Sequence, residues 1–535
     1  MRIAVYDTTL RDGTQGENVS FSVEDKIAIA RRLDEFGIDY IEGGWPGSNP
    51  RDKDFFAKAK SLEFKHARLA AFGSTRHVAN KVADDPNVQA LLESDTPVVT
   101  IFGKSWELHT ERALRITEEQ NLEIIFETVQ FFKERGREVI YDAEHFFDGY
   151  NANREFALKT LEAAQKAGAD ALVLCDTNGG NLPGVLGETF SDVREKFDGV
   201  LGIHTHNDTE VAVANTIAAV ELGATHVQGT INGYGERCGN ANLVSVIANL
   251  EVKLGHTCVG SDKLPQLTGL AHYISDTANF ALANGAAYAG KSAFAHKGGV
   301  HVSAVLREAS CYEHVEPESV GNERRVLVSD LSGRSNIFYK LKEKGLEAQL
   351  DDNGRRELLD RIKQMENEGY ELEAAEGSFE LLVREALQPD HFLFELEKMS
   401  IVTEKKGGQR TIHKVEMTVR AQDGQHWAEV SASGPFDAMA QCLRQCLSKT
   451  YPQIADIRLR DYKVRVLDGN KGTAAKVRVL VTWGDHKSSW TTVGVSDDVL
   501  EASWNALVDS LKLELLRLAE QEGSVAETVE ESWGV

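Results

Sequence analysis

The chain predicts a parallel (β/α)8 TIM barrel, a helical linker region and an α+β C-terminal domain built on a βββα repeat. Three observations carry that expectation: strand-like runs alternating with amphipathic segments over roughly the first 260 residues, polar residues crowded just after those runs, and a repeated element order in the last third. Strands are expected at 3–8, 38–43, 68–72, 97–102, 138–143, 170–175, 200–205 and 225–230. Helices fall between them, among them 22–36, 117–135, 151–167 and 209–222, each closing near a glycine (Gly37, Gly136, Gly168, Gly223) suited to a left-handed cap. A doubly wound sheet shares this alternation, because periodicity does not decide closure. The polar residues favour the barrel. Asp7, Arg11, Asp12, Glu42, Tyr141, Glu144, Asp176, Thr177, His204, His206, Asp208, Asn232, Glu236 and Asn240 all follow strands, and in a closed barrel those positions share one rim.

From about 340 to 391 the sequence turns charged and helical, which reads as a connector with a solvated face. Beyond it, strands near 392–399, 413–420 and 426–431 precede a helix at 436–449, and strands 457–467, 475–483 and 489–493 precede a helix at 497–517. The expected division is therefore 1–265 for the barrel, 266–390 for mostly helical linker subdomains and 391–535 for the repeat, with an acidic tail that frays at the end.

Composition narrows the function. The 535 residues are 42% hydrophobic and 27% charged, with a formal charge of −24, which disfavours a general nucleic-acid binder. No run approaches the roughly 18 apolar residues of a membrane span, and the first residues, MRIAVYDTTLRDG, lack a charged lead and apolar core, so a cytoplasmic protein without membrane contact is expected. Six scattered cysteines (175, 238, 258, 311, 442, 446) form no CxxC hook and read as free thiols.

The chemistry concentrates in three segments. In I-H-T-H-N-D at 203–208, alternate strand residues share a face, so His204 and His206 could bind one ion at the seventh strand's end; two paired polar residues are the plainer alternative. Asp12 from the first strand's rim and Asn240 after the eighth would add oxygens. A mixed set with open positions favours a Lewis-acid divalent metal (Mn, Mg, Co or Zn) over a closed structural zinc. In T-L-R-D-G-T-Q at 9–15, Arg11 would set a five-donor fork beside that ion, suited to a carbonyl oxygen becoming an alkoxide, or would simply close a turn with Asp12. The glycine loop at 231–240 has the wrong spacing and context for a nucleotide fingerprint and is expected to place Glu236 and Asn240.

Together D-T-T-L-R-D-G-T-Q (7–15), H-T-H-N-D (204–208) and N-G-Y-G-E-R-C-G-N (232–240) resemble the signatures of the metal-dependent acyl-CoA Claisen-condensing enzymes and lyases, the family of isopropylmalate, homocitrate and citramalate synthases. A-H-K-G-G-V-H (295–301), V-G-N-E-R-R-V-L-V-S-D-L-S-G-R-S-N (320–336), D-Y-K-V-R-V-L and T-V-G-V-S extend the resemblance over nearly the whole chain. E-G-G-W-P-G-S-N-P (42–50) and Y-D-A-E-H-F-F-D-G-Y (141–150) are most similar to the citramalate branch; the isopropylmalate enzymes carry an acidic residue where this chain has His145.

The resemblance implies condensation of pyruvate with acetyl-CoA and water to give (R)-citramalate and CoA on the route to isoleucine, with isopropylmalate synthesis as the alternative. It implies that Asp12, His204, His206 and Asn240 hold the metal, that Arg11 contacts the keto oxygen, that Thr177 bonds the carboxylate, and that Glu144 and His301 are the acid–base residues. It further implies a homodimer or higher homo-oligomer, and a C-terminal domain that binds an amino-acid effector, isoleucine being expected. A pyruvate pocket must exclude larger 2-oxo acids by filling space, and Tyr141 and Phe102 at strand ends are expected to form that wall, core packing being the alternative for both. From another class, a catalytically inactive amino-acid sensor would keep the C-terminal domain and lose the rim residues, which are intact here.

Overall fold

The computed structural model describes residues 1–328, 334–343, 351–387, 392–484 and 488–533. Parts of the expected linker (329–333, 344–350 and 388–390) lie outside the described residues. The chain forms two compact units, Met1–Ala295 with Glu313–Arg324, and His296–Tyr312 with Arg325–Val535.

The first unit contains the barrel. Strands β1 (Ala4–Asp7), β2 (Tyr40–Gly44), β3 (Arg68–Ser74), β4 (Val98–Lys104), β5 (Glu138–Glu144), β6 (Ala171–Asp176), β7 (Val200–Thr205) and β8 (His226–Gly229) pair in sequence order, and β1 pairs with β8 to close the ring. All eight fall on the expected runs, and closure excludes the doubly wound sheet. The helices between them include α1 (Val23–Phe36), α2 (Pro50–Ala59), α3 (Pro86–Ser94), α4 (Glu118–Lys133), α5 (Phe146–Ala152) and α6 (Arg154–Lys166). Local sequence sets their ends: Ser22 and Asp25 form a capping box at the start of α1, and Gly37 ends it with φ +101°.

Strand parity sorts the side chains into two cores. Tyr6, Ala70, Val98, Ile140, Ala171, Val173 and Cys175 fill the barrel interior. Val99, Ile101, Val139, Tyr141, Leu172 and Leu174 point the other way, joining helix residues such as Ile125, Val129 and Leu161 in the layer between strands and helices. On β5 and β7 the inward parity continues to Asp142, Glu144 and His204, so a polar rim grows from an apolar floor.

The second unit contains the helices α7 (Gly299–Val305), α8 (Arg334–Glu343), α9 (Asp352–Glu368) and α10 (Glu376–Leu387), then two three-stranded antiparallel sheets. Strands 394–404, 412–421 and 424–432 precede α11 (Pro435–Leu447), and strands 458–466, 477–484 and 489–496 precede α12 (Val499–Trp533), which is the expected βββα repeat. The first strand of each copy carries a register shift, at Leu396/Lys398 and at Leu459/Asp461. The tail expected to fray instead continues α12 to Trp533, because no helix breaker follows Leu511 and Gly523 alone does not stop the turn. No described helix is long and apolar enough to cross a membrane. All six cysteines are free, with Cys238 and Cys311 exposed.

Candidate active site

The polar rim surrounds a cavity of about 180 Å³ at the carboxyl ends of the strands. Its first side is the turn after β1. Asp7, buried, accepts from Thr9 N at 3.0 Å and Thr9 Oγ1 at 2.8 Å, and Thr9 Oγ1 accepts from Ile231 N at 2.9 Å, so the turn is tied to the loop after β8. This fixes Arg11 and Asp12 at the mouth. Arg11 donates through Nε to the fully buried Glu42, sets NH1 3.1 Å from Asp12 Oδ2, and lies 3.7 Å above the Phe72 ring. Glu42 also accepts from the Tyr6 and Thr8 hydroxyls, which leaves the guanidinium held on three sides.

Opposite stand the two histidines. His204 Nε2 and His206 Nε2 approach to 3.3 Å, and they lie 3.5 and 3.9 Å from Asp12 Oδ2. Gln228, fully buried on β8, donates from Nε2 to Asp142 Oδ1 at 2.9 Å, which turns its Oε1 toward His204 Nδ1 at 2.9 Å. Because Oε1 only accepts, Nδ1 carries the proton and Nε2 offers its lone pair to the cavity. Burial lowers both imidazoles, His206 to about 3, so both are neutral at ordinary pH. Burial alone would raise Asp12, but Arg11, His206, His204 and Asn240 outweigh it and bring it to about 2.

The loop after β8 completes this side. His206 bridges to Asn240, and Ala241 N donates to Thr205 O at 2.9 Å. Close approach requires glycine at Gly235 (φ +152°), where a Cβ would lie 2.2 Å from Asn240 Nδ2. The donor set fits a divalent metal: one ligand atom each from Asp12, His204 and His206 lie within 4.8 Å of one another, and Asp12 Oδ1 and Asn240 Oδ1 are buried without hydrogen-bond partners.

The remaining wall is aromatic. Phe72 and Phe102 stack at 5.1 Å, and Trp45 stands edge-on to both at 5.9 and 5.4 Å. Trp45 is fixed by Asp52 Oδ2, which accepts from its backbone N–H at 2.9 Å, and by Asn87 Oδ1, which accepts from its indole N–H at 2.7 Å; Asp52 is paired with buried Lys26. Glu144 pairs with Lys104 at the cavity edge, and Thr177 lies beside it, its carbonyl accepting from Arg237 at 2.7 Å.

Comparison with known proteins agrees with this geometry. Residues 2–270 match the HMGL-like family, 289–370 the homocitrate synthase post-HMGL domain-like family and 373–514 the LeuA allosteric (dimerisation) domain. The (R)-citramalate synthase of Aquifex aeolicus (strain VF5) is 52% identical over 98% of this chain and 99% of its own, and that of Geobacter sulfurreducens is 50% identical over 98% and 99%. The chain belongs to the (R)-citramalate synthase family. It is an acyltransferase of the HMGL-like superfamily, whose members depend on a metal and use acetyl-CoA. The 2-isopropylmalate synthase of Methanocaldococcus jannaschii shares 30% identity over 95% of this chain and 94% of its own.

Within this (R)-citramalate synthase family member, Arg11, Asp12, Glu144, Thr177, His204 and His206 line the one cavity, with Asn240 against Asp12 and His206. His301 lies in the second unit on α7, its ring stacked on Tyr312 at 4.3 Å. Tyr141 is a correction. Its ring faces the helix layer beneath Gly103, whose Cβ would meet the phenol at 2.6 Å, so it packs the core and does not line the cavity. Alternation along β5 explains this, since Glu144 and Tyr141 differ in parity and cannot share a face. Phe102 does line the cavity, as expected. Gln228, Asp142, Trp45 and Phe72 escaped sequence reasoning; parity with His226, Glu144 and Ala70 was the available signal for all but Trp45.

Proposed function

We propose that the protein is an (R)-citramalate synthase, condensing pyruvate with acetyl-CoA and water to give (R)-citramalate and CoA in isoleucine biosynthesis. The observation that carries this is one small cavity in which Arg11 and the Asp12, His204 and His206 donors face an aromatic wall. Asp12, His204, His206 and Asn240 would hold the divalent metal, which supplies Lewis-acid polarisation and a template for a chelating 2-oxo acid. Thr177 donates its hydroxyl proton to the substrate carboxylate, and Arg11 donates to the keto oxygen as it becomes an alkoxide. Glu144 and His301 are the acid–base candidates: a base takes a methyl proton from acetyl-CoA, and the new carbanion bonds to the keto carbon. The alkoxide then takes a proton, and water hydrolyses the thioester to release the CoA thiol. A neighbouring cavity of about 290 Å³, which shares Phe102 and includes Lys104, Arg76 and His77, would take the CoA arm.

Residues 1–265 would carry catalysis, with 266–390 as the linker subdomains that contain His301 and 391–535 as the regulatory domain of a cytoplasmic homodimer. Isoleucine is expected to slow CoA release by the full-length protein and to leave unaffected a still-dimeric form ending near residue 390. Inhibition that persists in the shorter form would put the effector site elsewhere.

The decisive experiment measures CoA release across 2-oxo acids. Pyruvate should exceed 2-oxobutyrate in kcat/KM by at least about tenfold, or about 1.4 kcal/mol, and 2-oxoisovalerate by far more. Phe102→Ala should shrink the pyruvate-to-2-oxobutyrate ratio by about tenfold, since it opens the stacked wall by several carbons. Equal turnover of pyruvate and 2-oxoisovalerate by the parent protein would replace this reading with isopropylmalate synthesis.

A further inference from the structure

His145 has no part in the chemistry above, yet its backbone is held in the left-handed region (φ 53°, ψ 36°). A residue with a Cβ stays there only when its surroundings hold it. The N–H of His145 donates to Thr177 Oγ1 at 2.9 Å. Its ring Nδ1 lies 3.0 Å from Asp148 Oδ2, and because a carboxylate only accepts, Nδ1 is the donor. That same oxygen accepts from Asn178 Nδ2 at 3.1 Å. The His109 ring meets the imidazole edge-on at 4.4 Å, and Trp106 lies at 5.8 Å, which seats the ring from the β4 side. Burial would raise the Asp148 carboxyl, but the bonds from His145 and Asn178 hold it below the usual range and keep it ionised.

Two links therefore join the exits of β5 and β6, one from the His145 backbone to Thr177 and one from its ring through Asp148 to Asn178. A threonine hydroxyl has one proton to give. Since Thr177 Oγ1 already accepts from His145, and Thr177 lines the cavity, that proton is directed to a ligand there. We propose that His145 and Asp148 are positioning residues, a clamp that aims the Thr177 hydroxyl at the carboxylate of the 2-oxo acid. The inference rests on the reading of this cavity as a 2-oxo acid site.

The test uses the full-length, metal-loaded protein, with pyruvate affinity measured by calorimetry without acetyl-CoA and kinetics by CoA release. Asp148→Ala is expected to weaken pyruvate binding and raise its KM about tenfold, the scale of one hydrogen bond. The KM for acetyl-CoA and the melting temperature should stay near the parent values. Asp148→Asn keeps an oxygen that can accept both bonds and should restore pyruvate affinity to within about twofold. Thr177→Val should weaken pyruvate as Asp148→Ala does, and the double variant should be no worse, because the clamp acts through that hydroxyl. Unchanged pyruvate affinity in Asp148→Ala, equal damage from Asp148→Asn, or full additivity with Thr177→Val would each overturn the clamp. A parent protein that binds pyruvate but releases no CoA would overturn the reaction and leave the calorimetric test standing. A parent that binds no 2-oxo acid would overturn both.

Discussion

His204→Ala and His206→Ala are each expected to lower turnover by a thousandfold or more, on the order of several kcal/mol of transition-state stabilisation, with bound metal falling in parallel. Each removes one of two nitrogens that lie 3.3 Å apart and 3.5 and 3.9 Å from Asp12 Oδ2. Their effects on stability should differ. His204→Ala leaves the buried Oε1 of Gln228 without its donor, at a cost of about 1–3 kcal/mol, whereas the His206 Nδ1 has no partner to lose. A lower melting temperature for His204→Ala than for His206→Ala, with loss of activity and metal in both, is the expected pattern. Metal analysis, turnover and a thermal melt check it, and retained metal with near-normal turnover in either variant would remove that histidine from the ligand set.

Arg11→Lys should be the next most damaging change, lowering kcat/KM by on the order of a hundredfold although the charge is kept. Arg11 meets Glu42 through Nε, approaches Asp12 through NH1 and spreads its plane over Phe72. An ammonium on a flexible stem can satisfy the buried Glu42 or reach the substrate oxygen, and cannot do both. Metal content should be unchanged, which separates this loss from that of the histidine variants. Near-parent kcat/KM would exclude Arg11 from the chemistry.

Much of this was legible because a barrel converts sequence order into spatial order. Each strand-to-helix junction returns to the same rim, so Asp12, Glu144, Thr177, His204 and His206 group together from the sequence alone. The H-x-H spacing is informative for the same reason that Tyr141 misleads: on a strand, facing depends on parity, and the parity of Tyr141 opposes that of Glu144. Gln228 is silent in sequence, since an amide on a short strand has no signature until its partners, His204 and Asp142, are seen on neighbouring strands. The aromatic wall needs three separate strand exits to meet, a property of the closed ring and of no single segment. The C-terminus expected to fray is helical instead, and α12 continues through it to Trp533.

The seam between β1 and β8 has a consequence for how the protein is made. Ala4 pairs with His226, and Ile231 is bonded to Thr9 across 222 positions of chain. Contacts so distant along the chain form late, because the entropy of closing the loop between them must be met before they give anything back. While the ribosome is still adding β8, Arg11 and Asp12 have been outside for most of synthesis with no Asn240 to meet and no fixed turn to hold them. The cluster of Asp12, His204, His206 and Asn240 is therefore incomplete until the ends of the barrel join. A ligand that binds only the joined ring would pull the last folding step forward by mass action.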